Sequence, residues 1–209
     1  MNTMTENQKK LAKSLFEIGA IKFGSFKLKL HETNPEAPLS PIYLDLRIVR
    51  SFPDVIRMAV AEMVNLIKEK KLTCDLIADL PTGATPFATL IMDRTSIPMI
   101  TPKKDIKTHG ISAKIEGVYK TGQKVLMIDD MVTKADTKIE GAKALRGAGL
   151  IVTDVVVLVD RRQGGAEELT KHNVTLHSVL TFPEMLNFCR DDDLIAEELL
   201  THLKKYLNL

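Results

Sequence analysis

Cysteine is scarce in this chain: Cys74 and Cys189 are the only two among 209 residues. They lie far apart and form no Cys-x-x-Cys pair, which argues against a disulfide framework or a zinc cluster and fits a reducing, cytoplasmic compartment. There is no surplus of charge either. Lys and Arg total 29 against 27 Asp and Glu, a net of +2, so no global field draws the protein to nucleic acid. No apolar run approaches the ~20 residues of a membrane span, and the opening Met1-Asn-Thr-Met-Thr-Glu holds no apolar signal core. Asn173-Val-Thr175 has the form of a glycosylation triplet but no secretory context. No internal repeat or low-complexity linker occurs. No Gly-x-Gly-x-x-Gly run is present, which sets aside a dinucleotide-binding dehydrogenase.

What is present suits one α/β domain spanning residues 1–209. At 44% hydrophobic, a chain of this length has material for a real core. Thr5 to Ile18 predicts a helix, with a Thr5/Gln8 capping box and Gly19 as its stop. Ile21–Leu30 alternates apolar and polar residues, and Pro41–Arg47 reads as a second strand after a turn-rich loop. These residues, up to about 50, form an N-terminal helix and β-hairpin hood. Phe52–Lys70 is amphipathic, with Pro53 in its first turn. From there strands and helices alternate: strand Asp75–Asp79, helix Ala84–Thr95, strand Ile97–Thr101, an irregular stretch to Gly117, strand Val125–Asp129 and a helix through Leu145. Strand Thr153–Asp160, helix Ala166–Lys171, strand Thr175–Leu180 and helices Pro183–Phe188 and Leu194–Leu207 follow. Such alternation predicts a doubly wound parallel sheet.

The stretch Lys124 to Lys138 organises the rest. Val125–Asp129 is a continuous apolar run ending on acid, as in a strand covered on both faces. Asp129 and Asp130 sit at its predicted end, a polar turn Thr133–Thr137 follows, and a helix opens near Ile139. In a doubly wound sheet this sequence of features lies at the carboxyl edge, where ligands bind and helix amides hold phosphate. Leu80-Pro-Thr-Gly-Ala-Thr-Pro86 is a second turn at that edge, and Gly83 permits close backbone approach. Lys103, Lys104, Lys107 and His109 form a cationic, Gly110-containing stretch suited to neutralising a leaving group and excluding water.

The central stretch resembles the ribose-phosphate signature of the type I phosphoribosyltransferases: an apolar strand, two acids, two apolar residues, Thr, then a small-residue loop. Phe23-Gly-Ser-Phe-Lys-Leu-Lys29, Ser40-Pro-Ile-Tyr43, Lys103-Lys-Asp-Ile-Lys-Thr-His-Gly110 and Leu158-Val-Asp-Arg161 with Gln163-Gly-Gly165 are similar to segments of the orotate phosphoribosyltransferases. His177-Ser-Val-Leu-Thr181 is similar to that family's final strand.

The resemblance implies that Asp129 and Asp130 grip the ribose hydroxyls. It implies that Thr133, Lys134, Ala135, Asp136 and Thr137 meet the 5′-phosphate, and that Thr82 and Gly83 face pyrophosphate. Lys103, Lys104, Lys107 and His109 then belong to a catalytic loop shared across a homodimer. Lys29, Tyr43 and Arg161 are implied to face the base, with the guanidinium of Arg161 on the carboxylate of orotate. Orotate and phosphoribosyl pyrophosphate are the implied substrates, with Mg²⁺ held mainly by the pyrophosphate and water rather than by protein ligands.

The loop departs from the pattern at two points. Ala135 replaces Gly where positive φ is wanted. Asp136 brings a carboxylate to the phosphate position and, as a strong N-cap residue, competes for the helix amides. The alternative is therefore a catalytically weakened or inactive paralogue that binds a nucleotide or regulates a partner.

Overall fold

Thr5 and Gln8 cap the first helix as their spacing predicts. In the computed structural model, which describes residues 4–27, 34–103 and 115–207, the Thr5 hydroxyl accepts the Gln8 amide at 3.2 Å. The Gln8 carboxamide accepts the Thr5 amide at 2.8 Å. This reciprocal cap starts α1, Glu6–Glu17, whose buried face is Leu11, Ala12 and Leu15. Antiparallel β1, Ile21–Phe26, and β2, Ser40–Leu44, form a two-stranded sheet of their own, the expected hairpin.

Two boundaries here differ from expectation. β1 stops at Phe26, and residues 28–30, including Lys29, lie outside the described residues. β2 ends at Leu44 rather than Arg47, because the chain enters a 3-10 helix, Leu46–Ser51. Its three-residue period buries Leu46 and Val49 together. Asp45 anchors the change of direction: its amide donates to the Ala20 carbonyl at 2.7 Å and its carboxylate meets Lys22 at 3.2 Å. With α6, Phe182–Asp191, and α7, Glu197–Leu207, these elements make one compact unit, residues 1–55 with 182–209.

Helix α2, Pro53–Glu69, leads into the second unit, residues 56–181. There β3 (Leu76–Asp79), α3 (Thr85–Thr95), β4 (Met99–Pro102), β5 (Ile115–Glu116), β6 (Lys124–Val132), α4 (Asp136–Gly147), β7 (Ile151–Asp160), α5 (Gly165–Lys171) and β8 (Thr175–Thr181) follow in turn. The sheet order is β5-β4-β3-β6-β7-β8. Every pairing is parallel except β4 with the short edge strand β5. This is the predicted doubly wound sheet. Five successive residues of β6, Val125–Asp129, and six of β7, Val155–Asp160, are buried, so both strands are covered on both faces. Leu76, Met127, Val157, Ile139 and Leu145 belong to the core between them and α4.

The predicted boundaries shift where the ladder overrides local polarity. β6 does not end at Asp129. Met131 pairs with Val159 and Val132 with Asp160, so the strand runs past both acids. The polar turn contracts to Thr133–Ala135, and Asp136 and Thr137 become the first residues of α4. Residues 115–116, expected to be irregular, pair with β4. Among the described residues, no helix is long and apolar enough to cross a membrane.

Candidate functional site

Three turns leave the carboxyl ends of β3, β6 and β7, which are neighbours in the sheet. Each carries residues singled out in the sequence.

The turn after β3 is anchored by Asp79, which is fully buried and accepts hydrogen bonds from the Thr85 and Thr101 hydroxyls. Leu80 turns back onto α4, where Gly141 leaves room: a Cβ there would stand 2.5 Å from the Leu80 side chain. The Pro81–Thr82 peptide is cis, Thr82 is exposed and Gly83 is buried. Gly83 lies directly against Asp130. A Cβ on it would come within 2.9 Å of the Asp130 carboxyl carbon, so only glycine lets this turn approach the acid pair.

The acids at the end of β6 have unlike surroundings. Asp129 is buried, 5% exposed, while Asp130 is half-buried. Asp129 accepts the Asp130 amide at 2.8 Å on Oδ1 and the Lys138 ammonium at 2.5 Å on Oδ2. Asp130 Oδ1 accepts the Met131 amide at 2.7 Å. Burial pushes the Asp129 carboxyl up to about 7; Lys138 opposes that shift and the Asp130 charge adds to it. Asp130 is thus the acid open to a ligand, and Asp129 stands behind it.

In the loop between, Thr133 is half-buried and Lys134 exposed. Ala135 caps α4 from the left-handed region, at φ +72°, and makes no side-chain cap. Asp136 was expected as a candidate N-cap; it lies one residue later, in the first turn, exposed to solvent beside Thr137. A carboxylate there favours the helix dipole and disfavours an incoming anion.

The turn after β7 closes the group. Arg161 is buried, and its amide donates to the Val132 carbonyl at 3.1 Å. Asp160 takes Arg162, through the Arg162 amide at 2.8 Å and the guanidinium at 3.3 Å. Gly164 holds φ +86° at the start of α5, and a Cβ on Gly165 would stand 2.5 Å from the Thr133 carbonyl. The Gly164-Gly165 pair therefore lets this turn rest on the start of the Thr133–Ala135 turn.

Not all of the residues singled out are in this group. Lys103 forms a 3.0 Å ion pair with Glu116, at the two ends of a stretch whose Lys104, Lys107 and His109 lie outside the described residues. Lys29 does too. Tyr43, in the other unit, is exposed and its ring stands 5.7 Å from that of Phe26.

Lys138, beside the acid pair, is not among the residues singled out in the sequence. It is the one lysine with a buried side chain among the described residues. The signal is present in the sequence: positions 138, 142 and 145 recur at helical spacing, and Ala142 and Leu145 make an apolar face. Extending that face back one turn puts a lysine inside, where it must find a carboxylate.

Of the acid pair, Asp129 is engaged by Lys138, which leaves Asp130 as the carboxylate more open to a cation. Among the described residues, no three His, Cys, Asp or Glu side chains cluster as a cation's ligands would.

No protein-family model matches the chain. Comparison with individual proteins is more informative. The chain is 35% identical, over 193 residues, to the orotate phosphoribosyltransferase of Caenorhabditis elegans, covering 92% of this chain and 80% of that protein. Its fold is similar to the solved Leishmania donovani UMP synthase, with a TM-score of 0.84 and 33% identity; the match covers 96% of this chain but 42% of that one. The crystal structure of orotate phosphoribosyltransferase from Aeropyrum pernix matches at a TM-score of 0.72 and 26% identity, covering 85% of this chain and 97% of that one. Similarity over nearly the whole chain, joined to an acid pair set between two glycine turns at the carboxyl edge of a parallel sheet, places the chain in the orotate phosphoribosyltransferase family.

Proposed function

We infer that the protein transfers ribose phosphate from phosphoribosyl pyrophosphate to orotate, giving orotidine monophosphate and pyrophosphate for pyrimidine biosynthesis. The observation that carries this reading is the 35% identity to an orotate phosphoribosyltransferase across 92% of the chain. No observation favours the alternative of an inactive paralogue.

The residues supply binding and charge. Asp130, backed by Asp129, accepts hydrogen bonds from the ribose hydroxyls. Thr133–Thr137 and the leading amides of α4 take the 5′-phosphate. Thr82 and Gly83 face the pyrophosphate. As the bond from ribose to pyrophosphate breaks, its electron pair leaves with the pyrophosphate and the sugar becomes cationic. Lys103, Lys104, Lys107 and His109 neutralise the departing anion and exclude water, acting across a homodimer. Lys29, Tyr43 and Arg161 orient orotate, the guanidinium of Arg161 matching its carboxylate. Mg²⁺, when bound to the pyrophosphate, offsets its charge. Residues 1–209 serve as one phosphoribosyltransferase-like domain of a cytoplasmic enzyme, with residues 1–50 as its hood.

The test is direct. Orotate, phosphoribosyl pyrophosphate and Mg²⁺ are mixed with the protein and orotate absorbance is followed. Steady loss is expected; a folded protein that leaves the absorbance unchanged beside an active control overturns the reading.

Asp136 gives a graded prediction. A unit charge a few ångströms from another is worth about 1 kcal/mol even in water, and the 5′-phosphate is a dianion. Asp136→Gly is expected to raise affinity for phosphoribosyl pyrophosphate severalfold, up to about tenfold, measured by titration calorimetry. Unchanged affinity would mean that the exposed carboxylate turns away from the anion.

A further inference from the structure

Lys138 has a place in the fold that stability alone does not explain. A buried ion pair is often matched or bettered by apolar residues of the same volume, and the surrounding face of α4, Ile139, Ala142 and Leu145, is already apolar. Instead, a lysine 6% exposed reaches a carboxylate 5% exposed at 2.5 Å. The pair joins two particular places. Lys138 is the third residue of α4, directly after the Thr133–Thr137 stretch assigned to phosphate. Asp129 is hydrogen-bonded to the backbone of Asp130, the acid assigned to ribose.

The charges around Asp129 can be named from each neighbouring element. Lys138 faces it from α4, and Asp130 follows it on β6. On β7 its partner is the apolar Val157. On β3 the nearest acid is Asp79, opposite Ile128, and that carboxylate is taken by Thr85 and Thr101. Lys138 is therefore the cation that answers Asp129, and its ammonium also donates to the Thr137 hydroxyl at 3.4 Å.

We propose that Lys138 is a positioning residue for ribose-phosphate transfer: its ammonium fixes the Asp129 carboxylate and ties the first turn of α4 to the end of β6, so that the ribose-binding acid and the phosphate-binding turn keep one spacing. This rests on the reading of the site as one for phosphoribosyl pyrophosphate. It distinguishes two ligands. Inorganic phosphate touches the loop alone and does not sense the spacing. Phosphoribosyl pyrophosphate spans loop and acids and does. The pair also sets the charge of Asp129: without Lys138, burial acts unopposed and the carboxyl takes its proton at higher pH.

Calorimetry with both ligands tests the proposal on the natural protein, Lys138→Met and Lys138→Arg, from about pH 6 to 8.5, a range bracketing the carboxyl's value of about 7. Lys138→Met is expected to bind phosphoribosyl pyrophosphate about tenfold more weakly at neutral pH, as for one lost charge-assisted contact. Phosphate affinity should stay within about twofold, well below the effect of one such contact, and the pH at which sugar-ligand binding rises should move upward. Lys138→Arg keeps the charge and should recover part of the loss; it also serves if Lys138→Met does not fold. Equal weakening of both ligands would assign Lys138 a merely structural role and overturn the proposal, as would natural affinity in Lys138→Met. A natural protein that binds phosphate but not phosphoribosyl pyrophosphate would instead overturn the functional reading beneath it. A third readout needs no ligand: the Asp129 carboxyl, followed by carbon NMR, should titrate at higher pH in Lys138→Met, and an unmoved titration also overturns the proposal.

Discussion

Asp130→Ala is expected to lower kcat/KM for phosphoribosyl pyrophosphate by about 10²- to 10³-fold, while thermal stability changes little. The magnitude follows from the contacts assigned to it. A hydrogen bond to a charged group contributes about 1.5–3 kcal/mol. Two hydroxyls on one carboxylate, each near the lower end of that range, then give about 3–4 kcal/mol, and each 1.4 kcal/mol is about a factor of ten. Stability is spared because the half-buried Asp130 side chain makes, among the described residues, only a local bond to the Met131 amide, and its neighbour Asp129 keeps Lys138. Orotate affinity should hardly move, since the carboxylate is assigned to the sugar. Gly83 gives the same result from the other side. A methyl at Gly83 has nowhere to go but the space of the Asp130 carboxylate, so Gly83→Ala should mimic the loss without removing a charge. A fall of less than about tenfold in Asp130→Ala, under one charge-assisted hydrogen bond's share, would mean that the ribose is held elsewhere.

The parts of this fold that could be read from sequence are those whose cause is local or periodic. Thr5 and Gln8 cap α1 through bonds spanning three residues. The apolar runs of β6 and β7 announce strands buried on both faces because no alternation is needed there. What could not be read depends on distant neighbours. Two consecutive carboxylates look like the end of a strand, yet β7 continues alongside and carries β6 through Val132. Arg47 looks like the end of an alternating strand, but burying Leu46 and Val49 requires a three-residue period.

The site divides along the same line. The types of residue at the carboxyl edge were legible: acids near the end of β6, a glycine turn after β3, a glycine pair after β7. Their unequal burial was not. Nothing in the sequence distinguishes Asp129 from Asp130. The difference arises because one side chain faces Lys138 across the β6–α4 packing and the other lies against Gly83. A carboxylate's role is decided by what is packed upon it, and that is tertiary information.

Stability should carry the mark of this arrangement. Asp129 holds its proton more tightly in the folded chain, with its carboxyl up from 3.8 to about 7. Between those values the native state binds the proton that the unfolded state has released. The contribution is therefore fully present below about pH 4 and is lost as pH rises through 7. At about 1.4 kcal/mol per pH unit, a shift near three units sets an upper bound of about 4 kcal/mol. Urea unfolding of the natural protein and of Asp129→Asn, compared at intervals from pH 4.5 to 7.5, isolates the effect. The natural protein is expected to lose stability relative to the variant as pH increases across that range. Parallel curves would mean that Lys138 holds the carboxylate fully charged throughout. On the proposed role the direction of the loss runs against function, because a ribose site supported by a charged Asp129 is expected to work best above the same pH. A domain selected for stability alone would place an amide or an apolar residue at this position. An acid kept there with a buried lysine opposite it is what the role proposed for Asp129 beside the ribose-binding acid calls for.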